Sequence, residues 1–253
     1  MRSLAFALLA FCCAISAQAE EVVLGLSRDQ VAITTRFDGS EILIFGAVKR
    51  EEPIPEGPPL EVVITVAGPS QPVMVRKKDK VLGIWVNTEA VEVDLAPSFY
   101  AVASTAPLDT ILSDVEDLRH KITVPRAIRS VGAPDTVQDS AAFTEALIRI
   151  RTNNALYQSL EDGVALDQQT LFRTAITLPA NLTEGEYDTR IFLLRGGQVI
   201  STYDTTIDVR KVGMERWLFA LSRENPMAYG LLSLAIAIAA GWGASAVFRL
   251  IRT

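Results

Sequence analysis

Cysteine and histidine are almost missing: Cys12, Cys13 and His120 are the only ones among 253 residues. Both cysteines lie in an N-terminal apolar segment, and without it the chain has no thiol and one imidazole. That leaves no ligand set for a closed zinc site or for haem held by its usual side chains. Also lacking are a G-x-S-x-G nucleophile elbow, a D-x-D-x-D-G calcium loop, a glycine-rich phosphate loop and a dinucleotide fingerprint. No cofactor or metal is therefore expected. Formal charge is −6, from 24 Lys+Arg against 30 Asp+Glu. Such a balance argues against a nucleic-acid binder.

His120 sits beside Asp114, Glu116 and Asp117, a setting that reads as a surface helix. A triad needs partners that the sequence does not supply. The adjacent pairs Glu51-Glu52 and Glu161-Asp162 lie at loop-like positions and read as solvating charge. No catalytic residue is assigned, and the chain is not expected to be an enzyme.

Long apolar runs occur at the two ends. Arg2, the apolar stretch Leu4 to Ile15 and Ala17-Gln18-Ala19 describe a secretory signal, residues 1–19, cleaved after Ala19. An uncleaved anchor is the alternative reading of this segment. Either version exports the middle of the chain. Removing residues 1–19 takes away Arg2, leaving 23 basic against 30 acidic residues and a charge of −7. The exported part then has no disulfide and needs an ordinary core, which residues 20 to about 212 are numerous enough to build.

At the other end, Pro226 to Phe248 runs for 23 residues without a charged side chain. At about 1.5 Å per residue this covers a hydrocarbon core of about 30 Å. Tyr229 and Trp242 suit the interfaces, and Arg249 and Arg252 form a cationic collar. Lys211, Arg216 and Arg223 lie before the span, so local charge does not fix the orientation. Export by the first segment does, which places residues 249–253 in the cytoplasm.

Between the ends the texture is mainly β. Runs at Val22–Leu26, Val31–Arg36, Glu41–Val48, Leu60–Val66, Val73–Lys77, Val81–Val86, Ala90–Leu95 and Tyr100–Ser104 predict short antiparallel strands in a first block, residues 20–105. Asp38-Gly39 predicts a hairpin turn between two of these runs. Pro53, Pro55, Pro58 and Pro59 predict an extended loop. In 106–164, Ile111, Leu112, Val115 and Leu118 recur at helical spacing over Pro107–Arg119. Phe143, Leu147, Ile150, Tyr157 and Leu160 do so over Ser140–Leu160, with Gly163 closing that helix.

A second β block, residues 165–211, contains Leu171–Leu178, Tyr187–Leu194 and Val199–Val209, with Gly196-Gly197 as a turn. Leu182-x-x-Gly185-x-Tyr187 has the form of a tyrosine corner. The fold class is thus an immunoglobulin-like β-sandwich, one split domain or two small ones, with a helical insertion and one C-terminal transmembrane helix. In residues 212–225, Met214, Trp217, Leu218 and Leu221 predict an interfacial amphipathic helix.

Two features point to binding. Arg76, Lys77, Lys78 and Lys80 concentrate four cations within five residues, with Lys49-Arg50 as neighbours in the sandwich. They would meet an anion or an acidic partner, or guard a sheet edge against aggregation. Trp85 reads as a core aromatic. Within the span, Ser233, Ala237, Gly241 and Ser245 recur every four residues and offer a narrow face to another helix.

FDGSEILIFGAVKR (37–50) and GIWVNT (83–88) resemble an alphaproteobacterial family of transmembrane proteins with an exported N-terminal domain and a single C-terminal span. The resemblance runs over nearly the whole chain. It implies an inner-membrane anchor in a Gram-negative envelope, a periplasmic domain, and an association with a sulfite-exporter-like permease. It implies no activity. The expected function is a non-catalytic accessory subunit of a membrane complex. A stand-alone periplasmic anion or ligand sensor is the alternative, and a periplasmic hydrolase stands behind both.

Overall fold

A computed structural model describes residues 20–27, 30–33, 39–50, 53–130, 139–211, 218 and 221–251. Twelve strands and five helices are defined among them. The described residues within 1–31 and 38–209 form one compact unit, and those within 32–37 and 210–253 a second. The signal-like residues 1–19, Asp38, Glu51, Glu52, Met214 and Trp217 lie outside the described residues.

In chain order come β1 (Glu21–Leu26), β2 (Gln30–Ile33), β3 (Ser40–Lys49), β4 (Leu60–Ala67), β5 (Ser70–Val81), β6 (Ile84–Pro97) and β7 (Tyr100–Ser104), of which β2 belongs to the first unit as far as Val31. After four helices follow β8 (Tyr157–Leu160), β9 (Val164–Asp167), β10 (Leu171–Leu178), β11 (Gly185–Arg195) and β12 (Gln198–Lys211). One sheet has the order β1-β3-β10-β9 and another β2-β12-β11-β4-β7-β8. Each of these sheets contains strands of both sequence blocks. The blocks are therefore folded together, and β5 with β6 makes a separate two-stranded ribbon.

Alternation builds these sheets. Along β10 every second residue, Phe172, Thr174, Ile176 and Leu178, is buried while the others face outward. In the centre of the six-stranded sheet, β4 is buried on both faces, so its sequence LEVVITVA is nearly continuous in apolar residues. One face carries Val63, Val102, Phe192 and Leu194, packed with Phe143, Leu147, Ile111, Ile122, Val75, Val91 and Val93.

The helices occupy the connection between β7 and β8, which pair in parallel with Tyr100 opposite Tyr157. A parallel pair cannot be joined by a tight turn, and the crossover is what residues 105–156 supply. Its helices are α1 (Leu108–Ile111), α2 (Asp114–His120), α3 (Val124–Ala127) and α4 (Ser140–Asn153). Ser113 breaks the single helix predicted for Pro107–Arg119, because its hydroxyl caps α2 by accepting from the Glu116 amide. Val115 and Leu118 are accordingly exposed, and Glu116 is buried instead. The second predicted helix ends at Asn153 rather than Leu160. Tyr157 and Leu160 belong to β8, and Gly163 closes the turn into β9 by donating to the Leu160 carbonyl at 3.1 Å.

Other expectations change or hold in instructive ways. Val31 and Glu41 do not flank a hairpin: β2 lies in the six-stranded sheet, and β3 pairs with β1 and β10. Gly39 keeps a turn-like φ of +114°, and a Cβ there would approach the Leu178 carbonyl oxygen to 2.8 Å. Three runs predicted between Val73 and Leu95 fuse into the two long strands β5 and β6. The tyrosine corner forms, with the Tyr187 hydroxyl donating to the Thr183 carbonyl at 2.8 Å.

In the second unit, α5 (Pro226–Ile251) covers the whole predicted span and continues past Phe248. Pro226–Ser245 forms a membrane-length apolar stretch with none of it buried. Leu218 and residues 221–224 are helical, within the predicted juxtamembrane segment.

Candidate functional site

The ribbon of β5 and β6 changes character along its length. At its base Val75, Val91 and Val93 are buried in the core, next to α4. Beyond Val75 and Val91 no residue of the ribbon is buried. At about 3.3 Å per residue, the seven steps from Val75 to Leu82 reach about 20 Å past that last core contact. The ribbon is an arm.

Its turn is Leu82-Gly83, with φ of +50° and +86°. Two successive left-handed residues are what a two-residue hairpin demands, and Asn-Gly is the usual solution. Leucine in the first position is unusual, since its Cβ crowds the carbonyl there. Leu82 is 99% exposed, Ile84 68% and Trp85 66%. Trp85 is therefore no core aromatic: the core stops before it.

The four cations predicted as a binding cluster stand on β5 itself, just behind this tip. Lys77 Nζ lies 3.8 Å from Asp79 and 3.7 Å from Glu89, and Asp79 also accepts from the Thr88 hydroxyl at 2.7 Å. Arg76, Lys78 and Lys80 are exposed and form no ion pair among the described residues. Lys80 faces Trp85 in the register and Lys78 faces Asn87, across a bulge between Lys77 and Lys78. Lys49 and Arg50 serve elsewhere, pairing with Glu21 at 3.4 Å and Glu20 at 2.6 Å. Glu20 also binds Arg195 at 3.0 Å, so it ties the start of β1 to the end of β11.

On α5, Ser233, Ala237, Gly241 and Ser245 are all exposed. Each four-residue step rises about 6 Å and slides about 40° around the axis, so the row is a slanting groove of small residues. Ser233 satisfies its hydroxyl by donating to the Tyr229 carbonyl at 2.9 Å. A Cβ at Gly241 would meet nothing within 4 Å, which leaves that position open to a neighbour. The large residues Leu231, Leu234, Ile236, Ile238 and Trp242 are exposed around the helix, as a lipid-facing surface requires.

Sequence reasoning missed one cleft, of about 680 Å³, lined by Tyr100, Lys121, Asp188, Arg190 and Asp204 among others. Arg190 crosses it: its guanidinium donates to the carbonyls of His120 at 2.8 Å and Lys121 at 3.3 Å, and stacks 5.2 Å from the Phe192 ring centre. The Tyr100 hydroxyl donates to the Ile122 carbonyl at 2.7 Å. Burial pushes that phenol up to about 12, so at neutral pH it is a hydrogen-bond donor and no base. His120 is held by Glu116, 3.3 Å from Nε2, and by the edge of Phe192, with ring centres 5.5 Å apart. The charges of this cleft are of both signs and its arginine is engaged with backbone, which makes it a brace more than a receptor. Only the spatial meeting of residues 100, 121 and 190 reveals it.

Among the described residues no three His, Cys, Asp or Glu side chains are grouped to hold a metal ion. Asp117 accepts from the Ile122 and Thr123 amides and the Thr123 hydroxyl.

No curated protein matches the sequence. From β1 through nearly all of α5, residues 21–250 match the family described as "Putative transmembrane protein (Alph_Pro_TM)", and the chain belongs to that family.

Proposed function

We propose that this membrane protein is a non-catalytic interaction subunit, anchored once in the inner membrane by α5 with residues 20–211 in the periplasm. The observation that carries the reading is the arm: apolar and cationic side chains extend beyond the core where they add nothing to its packing. Exposed large apolar residues grouped in this way mark contact surfaces in soluble domains. The slanting row Ser233, Ala237, Gly241 and Ser245 supplies a second contact, for a helix of another integral membrane protein. A permease of the sulfite-exporter type is the partner implied by the family resemblance. Arg76, Lys78 and Lys80 then meet an anionic surface.

Affinity capture of the detergent-solubilised chain tests the docking, set beside the double variant Ala237→Leu, Gly241→Leu. A Cβ at Gly241 meets nothing within 4 Å among the described residues and Ala237 is exposed, so the substitutions disturb no packing there. Loss of a co-purifying membrane protein supports the reading. The same partners with both chains, or none with either, overturns it.

The cations free of ion pairs also favour a second reading, an anion-binding domain working alone. Sulfite, sulfate or thiosulfate would then raise the melting temperature of the full chain. The shift would vanish with Arg76→Ala and Lys78→Ala together.

A further inference from the structure

We propose that the tip of the β5–β6 arm, Val81 to Val86, inserts into the interfacial layer of the same bilayer that α5 crosses, with Arg76, Lys78 and Lys80 set against anionic headgroups. This rests on the reading of the arm as a contact element and names the surface it meets.

The distribution of side chains selects lipid over a protein groove. In a strand pair, alternate residues face opposite sides. Lys78, Lys80, Trp85 and Asn87 share one side of the arm, Asp79 with Val81, Ile84 and Val86 the other, and Leu82 caps the end. Apolar groups thus surround the tip. A protein groove that reads an added strand takes alternate side chains, whereas a hydrocarbon surface accepts an apolar end from every direction. Trp85 has the amphipathic ring that sits at headgroup level, and lysine stems extend along apolar surface while their charge stays in water.

Charge agrees with this. From Arg76 to Ala90 the arm carries four cations against Asp79 and Glu89, a net of +2 in a chain of −6. Its base, by contrast, carries Glu92 and Asp94. The positive charge is thus concentrated behind the apolar end, as attraction to anionic lipid requires. The turn conformation points the same way, since Leu82 holds a left-handed φ that asparagine would adopt with less strain. Tethering by α5 makes its own bilayer the apolar surface at highest local concentration.

The test uses the full chain with Trp217→Phe and Trp242→Phe, leaving Trp85 as the sole tryptophan, in nanodiscs of phosphatidylcholine with or without phosphatidylglycerol. Insertion predicts a blue-shifted Trp85 emission, at least twofold quenching by lipids brominated high on the acyl chain, and stronger quenching with phosphatidylglycerol. Lys78→Glu with Lys80→Glu should abolish the dependence on phosphatidylglycerol, and Leu82→Asp should abolish quenching. A red emission quenched by iodide overturns the proposal. So does a blue shift without bromine quenching, which would mean that tips of two copies cover one another. Either failure leaves the partner capture with the α5 variant standing as a separate result.

Discussion

Arg190 on β11 reaches across seventy residues of sequence to donate to the carbonyl of His120 at 2.8 Å, closing the C-terminal end of α2 against the sheet. The last carbonyls of a helix have no partner within it, and a cation there satisfies both their hydrogen bonding and the helix dipole. Arg190 also holds the Lys121 carbonyl, just past Asp114–His120. Because Lys121 adopts a left-handed φ of +55°, the chain turns at that point toward the buried Ile122.

Replacing Arg190 by alanine removes a charged donor from the partly buried His120 carbonyl and the exposed Lys121 carbonyl. The expected loss is about 2 kcal/mol, the usual worth of hydrogen bonds to a charged group. Lysine recovers only part, since one ammonium cannot reproduce the fork. Urea unfolding of the three chains in detergent checks the order.

Glu20 and Glu21 offer a paired comparison. Glu20 bridges Arg50 and Arg195, and the three side chains are only 10–14% exposed. Glu20→Ala strands two nearly buried guanidinium groups and should cost about 3 kcal/mol. Glu21 meets Lys49 with both side chains more than half exposed. Its replacement should cost less than about 0.5 kcal/mol. Equal effects in thermal unfolding would contradict this assignment of the β1 anchor.

Three buried tyrosines set the alkaline limit. Burial pushes Tyr100, Tyr157 and Tyr187 up to about 12 from 10.0. Below pH 10 the phenols are neutral in both states and stability does not depend on them. Between pH 10 and 12 the unfolded chain releases protons that the folded one keeps, so stability falls as pH rises, by about 1.4 kcal/mol per pH unit for each tyrosine. Tyr187→Phe should flatten that slope by one tyrosine's share. At neutral pH it costs about 1 kcal/mol, because the Thr183 carbonyl loses its donor. An unchanged slope in unfolding free energy from pH 10 to 12 would count against it.

Two elements were readable from local sequence, one from its alternation and one from its short apolar run. Leu171–Leu178 and Tyr100–Ser104 are strands with the bounds their patterns predict, because local propensity and burial agree there. Pairing was harder. Asp38-Gly39 carries good turn chemistry, yet β3 takes β1 and β10 as neighbours, and β10 lies more than a hundred residues away. Tyr157 and Leu160 continue the helical spacing of α4 by coincidence, since β8 begins four residues after Asn153 and its parallel partner is distant in sequence.

The cations Arg76 to Lys80 were visible as a cluster, but the apolar tip beside them was not. Trp85 looks like core material until the boundary of the core is known, and that boundary is set by α4 packing on Val75 and Val91. The small-residue row on α5 needed only helical geometry. The cleft at Arg190 needed the fold.

Leu82→Asn should stabilise the chain by about 1 kcal/mol, because asparagine tolerates the left-handed conformation of the turn and removes the most exposed apolar group at the tip. A loss of stability instead would show that Leu82 packs against the domain, contrary to its full exposure.

The proposal that α5 anchors the chain and that the β-rich part is exported is most directly tested by labelling one introduced cysteine. Glu56→Cys lies in the exposed proline loop, and the chain has no other cysteine beyond Cys12 and Cys13. Cells with a permeabilised outer membrane are treated with a membrane-impermeant maleimide, and their membranes are then washed in alkaline carbonate. The account predicts a labelled chain that stays in the membrane pellet and an unlabelled parent. Labelling that appears only after the inner membrane is broken, or a chain released by carbonate, would contradict it.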